Sequence, residues 1–430
     1  MERIYVQGGR KLRGEVRLSG SKNASLPILA ATLLAEDTCV IHNVPRIEDT
    51  RTMIEVLRAL GAKVKFTDSG TVTVNASRLI THVAPYELVK RMRASFYVAG
   101  PLLARLHKAE VPLPGGCILG TRPVNFHTDA FQKLGARVLL AHGFMRAECR
   151  QLTGALIYLD PRWCSVGTTM NIVMAAAAAQ GRTVVENAAR DPEVQDFIKF
   201  LRKMGACIQG AGSSSLTIDG VRKLSGCEHT VISDRIEAGT LLMSAAATGG
   251  DVTVYPLEPV WLDQVLEALS GAGANVTRAD NAVRVQRSGR MRAVDIATAP
   301  FPGFPTDLHP PFVAMISLAE GRSVIDERIY ESRFAYVDEL RRMGTDINVL
   351  GQTAVVRGVQ KLTGAPVEAP DIRAGAALIT AALAAEGESE ISNIVVIDRG
   401  YESIEQKLAA LGASIVRHDS SGRQAQLCLA

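Results

Sequence analysis

The sequence predicts a repetitive α/β fold, and three observations carry the prediction: a glycine motif recurring at nearly fixed spacing, helices with no polar face, and β-branched strands between them. The motif reads apolar residue, Gly, small residue, variable residue, β-branched residue. Its copies are Leu60-Gly61-Ala62-Lys63-Val64, Leu134-Gly135-Ala136-Arg137-Val138, Met204-Gly205-Ala206-Cys207-Ile208, Ala272-Gly273-Ala274-Asn275-Val276, Met343-Gly344-Thr345-Asp346-Ile347 and Leu411-Gly412-Ala413-Ser414-Ile415. The glycines stand 74, 70, 68, 71 and 68 residues apart, so six units of about 70 residues fill the 430-residue chain. Glycine just past a helix end adopts left-handed backbone without the steric cost of a side chain, which explains its recurrence there.

Within each unit an Ala-rich apolar helix leads through a short Gly or acidic turn into a β-branched strand. The copies run Leu26 to Val44, Ala94 to Val111, Met170 to Glu186, Ala238 to Tyr255, Pro311 to Glu327 and Ala374 to Ile394. A helix such as Met170 to Ala179, apolar on most faces, must be enclosed by protein. An amphipathic helix then precedes the glycine motif. Each unit therefore reads strand, buried helix, strand, amphipathic helix, strand, with parallel crossovers expected from the alternation. Length alone suggests about three domains.

Composition narrows the function. With 47% apolar and 21% charged residues the chain is an ordinary globular one. Lys and Arg outnumber Asp and Glu only 48 to 44, which argues against nucleic-acid or membrane partners and leaves anions to local cation clusters. The seven cysteines form no CxxC pair and no zinc spacing, as in a reducing cytosol, and no metal site is expected. The N-terminus has no apolar signal core and the longest apolar runs, such as Leu26 to Ala35, fall far short of a bilayer span. The expectation is a cytoplasmic protein, monomer or weak homo-oligomer, acting on small molecules.

Two sets of residues stand out. The loop from Val111 to His127 holds Pro114, Gly115, Gly116 and Gly120 around a lone thiol, Cys117, with Arg122 five residues on to favour a thiolate or hold an anion. From spacing alone a hairpin with an incidental cysteine fits equally well. The second set precedes the buried helices: Lys22, Arg93, Ser165-Val166-Gly167, Arg235, Asp307 and Arg373. Helix N-termini with nearby cations suit anions. Capping alone explains Ser165 or Asp307; four cations in one repeat position are harder to explain that way.

At Gly20-Ser21-Lys22-Asn23-Ala24, Pro114-Gly115-Gly116-Cys117, Arg122-Pro123-Val124, Phe304-Pro305-Thr306-Asp307, Asp371-Ile372-Arg373-Ala374 and Asp398-Arg399-Gly400-Tyr401-Glu402 the chain resembles the enolpyruvyl transferases, nearly end to end. The resemblance implies two domains, each an inside-out α/β barrel of three βαβαββ units. One would span residues 21–231, the other 1–20 with 232–430, and the active site would be the cleft between them, closing on substrate. It implies transfer of the enolpyruvyl group of phosphoenolpyruvate to the 3-hydroxyl of UDP-N-acetylglucosamine by addition and elimination, releasing phosphate, without a cofactor and with fosfomycin as inhibitor.

Addition requires one acid to protonate the enol carbon and one base to take the hydroxyl proton. By resemblance Cys117 is the acid and a possible carrier of a covalent phosphoenolpyruvate adduct, while Asp307 is the base. Lys22, with Asn23 beside it, Arg122 and Arg399 match phosphate and pyruvyl contacts. Arg333 and Arg373 match carboxylate forks, and Asp371 lies near the reacting centre. Arg93 and Ser165-Val166-Gly167 suit the diphosphate, Arg122, Pro123, Val124, Asn125 and Phe126 the uracil, and Ile329 offers a backbone contact. The chain departs from the family's commoner residues at Asn125, Trp163, Cys164, Ser233, His309 and Val396. These departures keep open another acceptor, handled by a paralogous transferase; a non-catalytic sensor would be expected to lose Cys117, Lys22 or Asp307, and all three are present.

Overall fold

The computed structural model describes residues 2–113 and 124–418. They form two compact units, one made of the residues up to Ser19 with those from Ser233 onward, the other of those between Gly20 and Ile232. Each has its own apolar core. Length suggested three domains; the count is two because three repeats share each core.

Six enclosed helices organise the units. In the Gly20–Ile232 unit they are α1 (Lys22–Ala31), α2 (Ala99–Leu106) and α3 (Val166–Ala176); in the other, α4 (Arg235–Thr248), α5 (His309–Ile316) and α6 (Ile372–Ala384). Every residue of α5 and all but the last of α4 are buried, so these helices have no solvent face. Helices α4, α5 and α6 pack pairwise on one another. Hydroxyls within them pair with one another or with neighbours: Ser244 and Thr380 meet at 2.9 Å, and Thr240 meets the Tyr401 hydroxyl at 3.0 Å. Truncating a fully enclosed side chain such as Leu241 costs about 2–5 kcal/mol.

Small sheets cover the inner helices, with alternate residues turned inward. In Arg182–Glu186, for example, Thr183 and Val185 are buried. Among the described residues five sheets have four strands and one has three. The expected parallel crossovers are present, although the sheets are mixed because a hairpin strand runs antiparallel between the crossover strands. Leu156–Tyr158 lies parallel to Arg182–Glu186 across α3, but Arg182–Glu186 pairs antiparallel with Ser215–Asp219, which pairs antiparallel with Cys207–Gln209. The strand after the glycine motif is half of a hairpin, and the second half inserts between the two strands that the amphipathic helix joins. The single strand of the periodic reading is therefore two, which gives the βαβαββ unit.

The six motif glycines all have left-handed backbone, with φ of 107°, 92°, 103°, 94°, 91° and 95°. The N-terminal strands fill gaps elsewhere in their own unit. Arg3–Gln7 lies antiparallel between Glu388–Ser392 and Ser414–His418, and Arg13–Arg17 lies parallel to Asp251–Tyr255. In the other unit Glu228–Thr230 closes the first sheet beside Thr38–His42. Gly20, at the head of the Gly-Ser-Lys motif, is required by proximity: a Cβ there would fall 1.7 Å from the Asn43 carbonyl oxygen. Among the described residues no helix is long and apolar enough to cross a membrane.

Candidate functional site

In the Gly20–Ile232 unit the candidate residues gather at the N-terminal ends of the inner helices. Ser21 caps α1, its hydroxyl accepting from the Ala24 amide, and Lys22 is the first helical residue. Lys22 is 8% exposed, and its ammonium is kept there by Asp49 at 2.7 Å, an acid from the first turn of Glu48–Ala59 that the sequence did not single out. Asn23 is half-buried beside it. Ser165 caps α3 by accepting from the Thr168 amide at 3.3 Å, and Val166 and Gly167 open the helix. Arg93 opens a 3-10 turn, Arg93–Val98, that runs into α2, rather than opening α2 itself.

A further donor, His127, belongs to this cluster and was not given a role from the sequence. Asn171 uses its side-chain oxygen to accept from the Gly100 amide at 2.9 Å, so its nitrogen faces His127 Nδ1 at 3.3 Å. Nδ1 therefore accepts, and Nε2 carries the proton beside Gly167, where a Cβ would lie 3.9 Å away. Burial, then repulsion from Arg93, pushes the His127 pKa down to about 3. The imidazole is neutral in the folded protein, so its ring signals should not titrate between about pH 7 and about pH 5 in an NMR experiment. Movement there would mean that the ring is solvated.

Of the uracil set, Val124 and Phe126 are half-buried and Asn125 is exposed as the first residue of the helix Asn125–Lys133. Phe126 lines a groove of about 490 Å³ with Lys133, Tyr158 and Leu159. Cys117, Arg122 and Pro123 lie outside the described residues. Trp163 is 39% exposed in a turn braced by Arg162 on Asp160, and nothing in the fold requires an aromatic residue there.

In the second unit the set is tighter. Asp307 sits in the 3-10 turn Thr306–Leu308 and caps no helix; its carboxylate instead accepts from Arg373 Nε at 3.1 Å and Nη2 at 2.9 Å, and lies 3.4 Å from Arg333 Nη2. Arg333 and Arg373 are 1% and 4% exposed. Asp371 caps α6, its Oδ1 accepting from the Arg373 and Ala374 amides at 2.8 and 3.1 Å. Three buried polar atoms here make no hydrogen bond: Asp371 Oδ2, Arg333 Nε and Arg373 Nη1, the last guanidinium lying over the Tyr401 ring. Arg399 is half-buried after the short helix Val395–Asp398, whose Asp398 is taken by Arg417. The Ile329 amide already donates to Glu327 at 2.8 Å, so the backbone contact expected of it is left to its carbonyl. Arg235 opens α4 and lies over the Phe301 ring, 5.5 Å from its centre. Among the described residues no three His, Cys, Asp or Glu side chains are grouped to hold a metal ion.

A family model described as EPSP synthase (3-phosphoshikimate 1-carboxyvinyltransferase) matches residues 6–408. The chain belongs to the EPSP synthase family. Among its relatives in that family, UDP-N-acetylglucosamine 1-carboxyvinyltransferase of Geotalea uraniireducens is 50% identical over 417 residues, covering 97% of this chain and 99% of that protein. The protein of the same name from Dichelobacter nodosus is 49% identical with the same coverage. Of solved family structures, the enolpyruvyl transferase NikO from Streptomyces tendae superposes with a TM-score of 0.87 at 26% identity, covering 97% of this chain and 98% of that one. EPSP synthase from Acinetobacter baumannii superposes with a TM-score of 0.74 at 20% identity over 97% of this chain and all of that one, a likeness of fold. The enclosed helices and six βαβαββ repeats are thus the architecture of the EPSP synthase family.

Proposed function

We propose that the chain transfers the enolpyruvyl group of phosphoenolpyruvate to the 3-hydroxyl of UDP-N-acetylglucosamine and releases phosphate, the first committed step of peptidoglycan synthesis. The observation that carries this reading is the cluster of Asp307, Arg333, Arg373 and Asp371, a carboxylate within a buried guanidinium pair beside a helix N-terminus. Such a site suits a small dianion and holds a base next to it. The relatives at about half identity, named for this acceptor, support the choice of nucleotide sugar.

Roles follow from the chemistry of each group. Arg373 and Arg333 hold the donor's carboxylate, Lys22, Arg122 and Arg399 its phosphate, and Asp371 stays near the reacting carbon. Asp307 takes the hydroxyl proton and Cys117 gives one to the enol carbon, so neither step generates an unshared charge. Arg93, the His127 Nε2–H and the first amides of α3 meet the diphosphate. Phe126, in its groove, packs on uracil.

Phosphate release measured with phosphoenolpyruvate and a panel of acceptors tests the reading. UDP-N-acetylglucosamine should be used best. Asn125 and Trp163, both exposed on the side given to the nucleotide, favour a second reading in which the acceptor is another nucleotide; release with a different acceptor alone would select it.

A further inference from the structure

Behind Asp307 lies a buried network that no step above uses. Glu327, His309 and Tyr336 are 1%, 0% and 0% exposed. The Glu327 carboxylate accepts from the Thr306 hydroxyl at 3.0 and 3.1 Å, from the Ile329 and Tyr330 amides at 2.8 and 2.9 Å, and meets His309 Nδ1 at 3.0 Å. On the other side of the imidazole, Nε2 meets the Tyr336 hydroxyl at 3.0 Å. Proton counting fixes the directions. An ionised carboxylate only accepts, so Nδ1 must donate; neutral His309 then accepts at Nε2, and Tyr336 donates to it. A charged imidazole would leave the Tyr336 proton with no acceptor in this arrangement. The relay is complete with one negative charge, on Glu327.

What this network holds is the turn that carries Asp307. Thr306 precedes Asp307 and His309 follows it by two residues, and both are tied to the same carboxylate. That carboxylate also fixes Ile329 and Tyr330, at the start of the segment leading to Arg333, whose Nη2 returns to the Thr306 carbonyl at 3.1 Å. Glu327 is the common anchor of the base and of one guanidinium beside it. Leaving such a buried carboxylate without donors is costly, so the turn has little freedom to move away while the relay is intact.

We propose that Glu327, backed by His309 and Tyr336, is a positioning device for the turn of Asp307, affecting turnover chiefly through the placement of that carboxylate. This rests on the reading of Asp307 as the base. The test compares His309→Leu, which removes both hydrogen bonds at similar volume, His309→Gln, which keeps a donor and an acceptor, and Thr306→Val, which cuts the tie from the other end. In crystals of His309→Leu, Asp307 should leave the Arg373 fork. In assays of phosphate release the Leu and Val variants should lose about 10- to 100-fold in kcat, the scale of a displacement of about 1 Å, and Gln should recover most of it. In an Asp307→Asn background the same substitutions should cause much less further loss. An equal loss in both backgrounds, an unchanged kcat, or Asp307 still on Arg373 in the Leu variant would overturn the proposal. Should His309→Leu fail to fold, Thr306→Val, which deletes one hydroxyl, decides alone. If the unaltered chain releases no phosphate with UDP-N-acetylglucosamine, the functional reading fails, and the crystal comparison still judges the positioning role.

Discussion

Replacing Cys117 by Ser should lower kcat for phosphate release by about 10²–10⁴-fold, the range over which a positioned general acid acts. The two side chains differ little in size, so calorimetric affinity for UDP-N-acetylglucosamine should stay within about twofold, a minor change on the free-energy scale. They differ greatly in acidity. A thiol with an ordinary pKa of about 8.5 gives up its proton readily, whereas a serine hydroxyl does not ionise in the same range. Fosfomycin separates chemistry from folding: it should add covalently to the unaltered protein, seen by mass, and leave the Ser variant unmodified. A variant that loses nucleotide-sugar binding instead would show that Cys117 supports the loop, and an active Ser variant would remove it as the acid.

The repeats were legible because they depend on local backbone chemistry. A left-handed residue after a helix favours glycine wherever it occurs, and all six copies have it. Enclosure of the inner helices was legible for a similar reason: a helix with no polar face, such as α3, has no stable exposed orientation. The hairpins were less visible, although turns such as Ala141-His142-Gly143 mark them, because one long β-branched stretch and two short strands have the same period. Strand partners were not legible at all. Arg3–Gln7 reads as a strand, but nothing in its alternation says that it lies between strands almost four hundred residues away. The site divides the same way. Lys22, Arg373 and Asp307 announce themselves by motif, while Asp49 and Glu327, which hold two of them, look like a first-turn acid and a strand-end acid. Their meaning comes from tertiary contact, which periodicity does not encode.

Asp307→Ala should lower kcat about as far as Cys117→Ser does, by about 10²–10⁴-fold, without weakening phosphoenolpyruvate binding. In the structure the Asp307 carboxylate, 28% exposed, fills the Arg373 fork and touches Arg333. Both of its oxygens are thus engaged by guanidinium groups. A donor carboxylate competing for the same fork would displace it, and a carboxylate freed from its cations takes a proton more readily. On the roles proposed above, binding of phosphoenolpyruvate would take Asp307 from ion-pair partner to base. The Ala variant leaves the fork open, so the Kd for phosphoenolpyruvate should be equal to or below that of the unaltered protein while turnover collapses. Asp307→Asn keeps the shape and one acceptor oxygen but not the charge; it should lose turnover to a similar extent. Weaker phosphoenolpyruvate binding in both variants, in proportion to the loss of kcat, would instead make Asp307 part of the binding surface and require the base to be sought elsewhere.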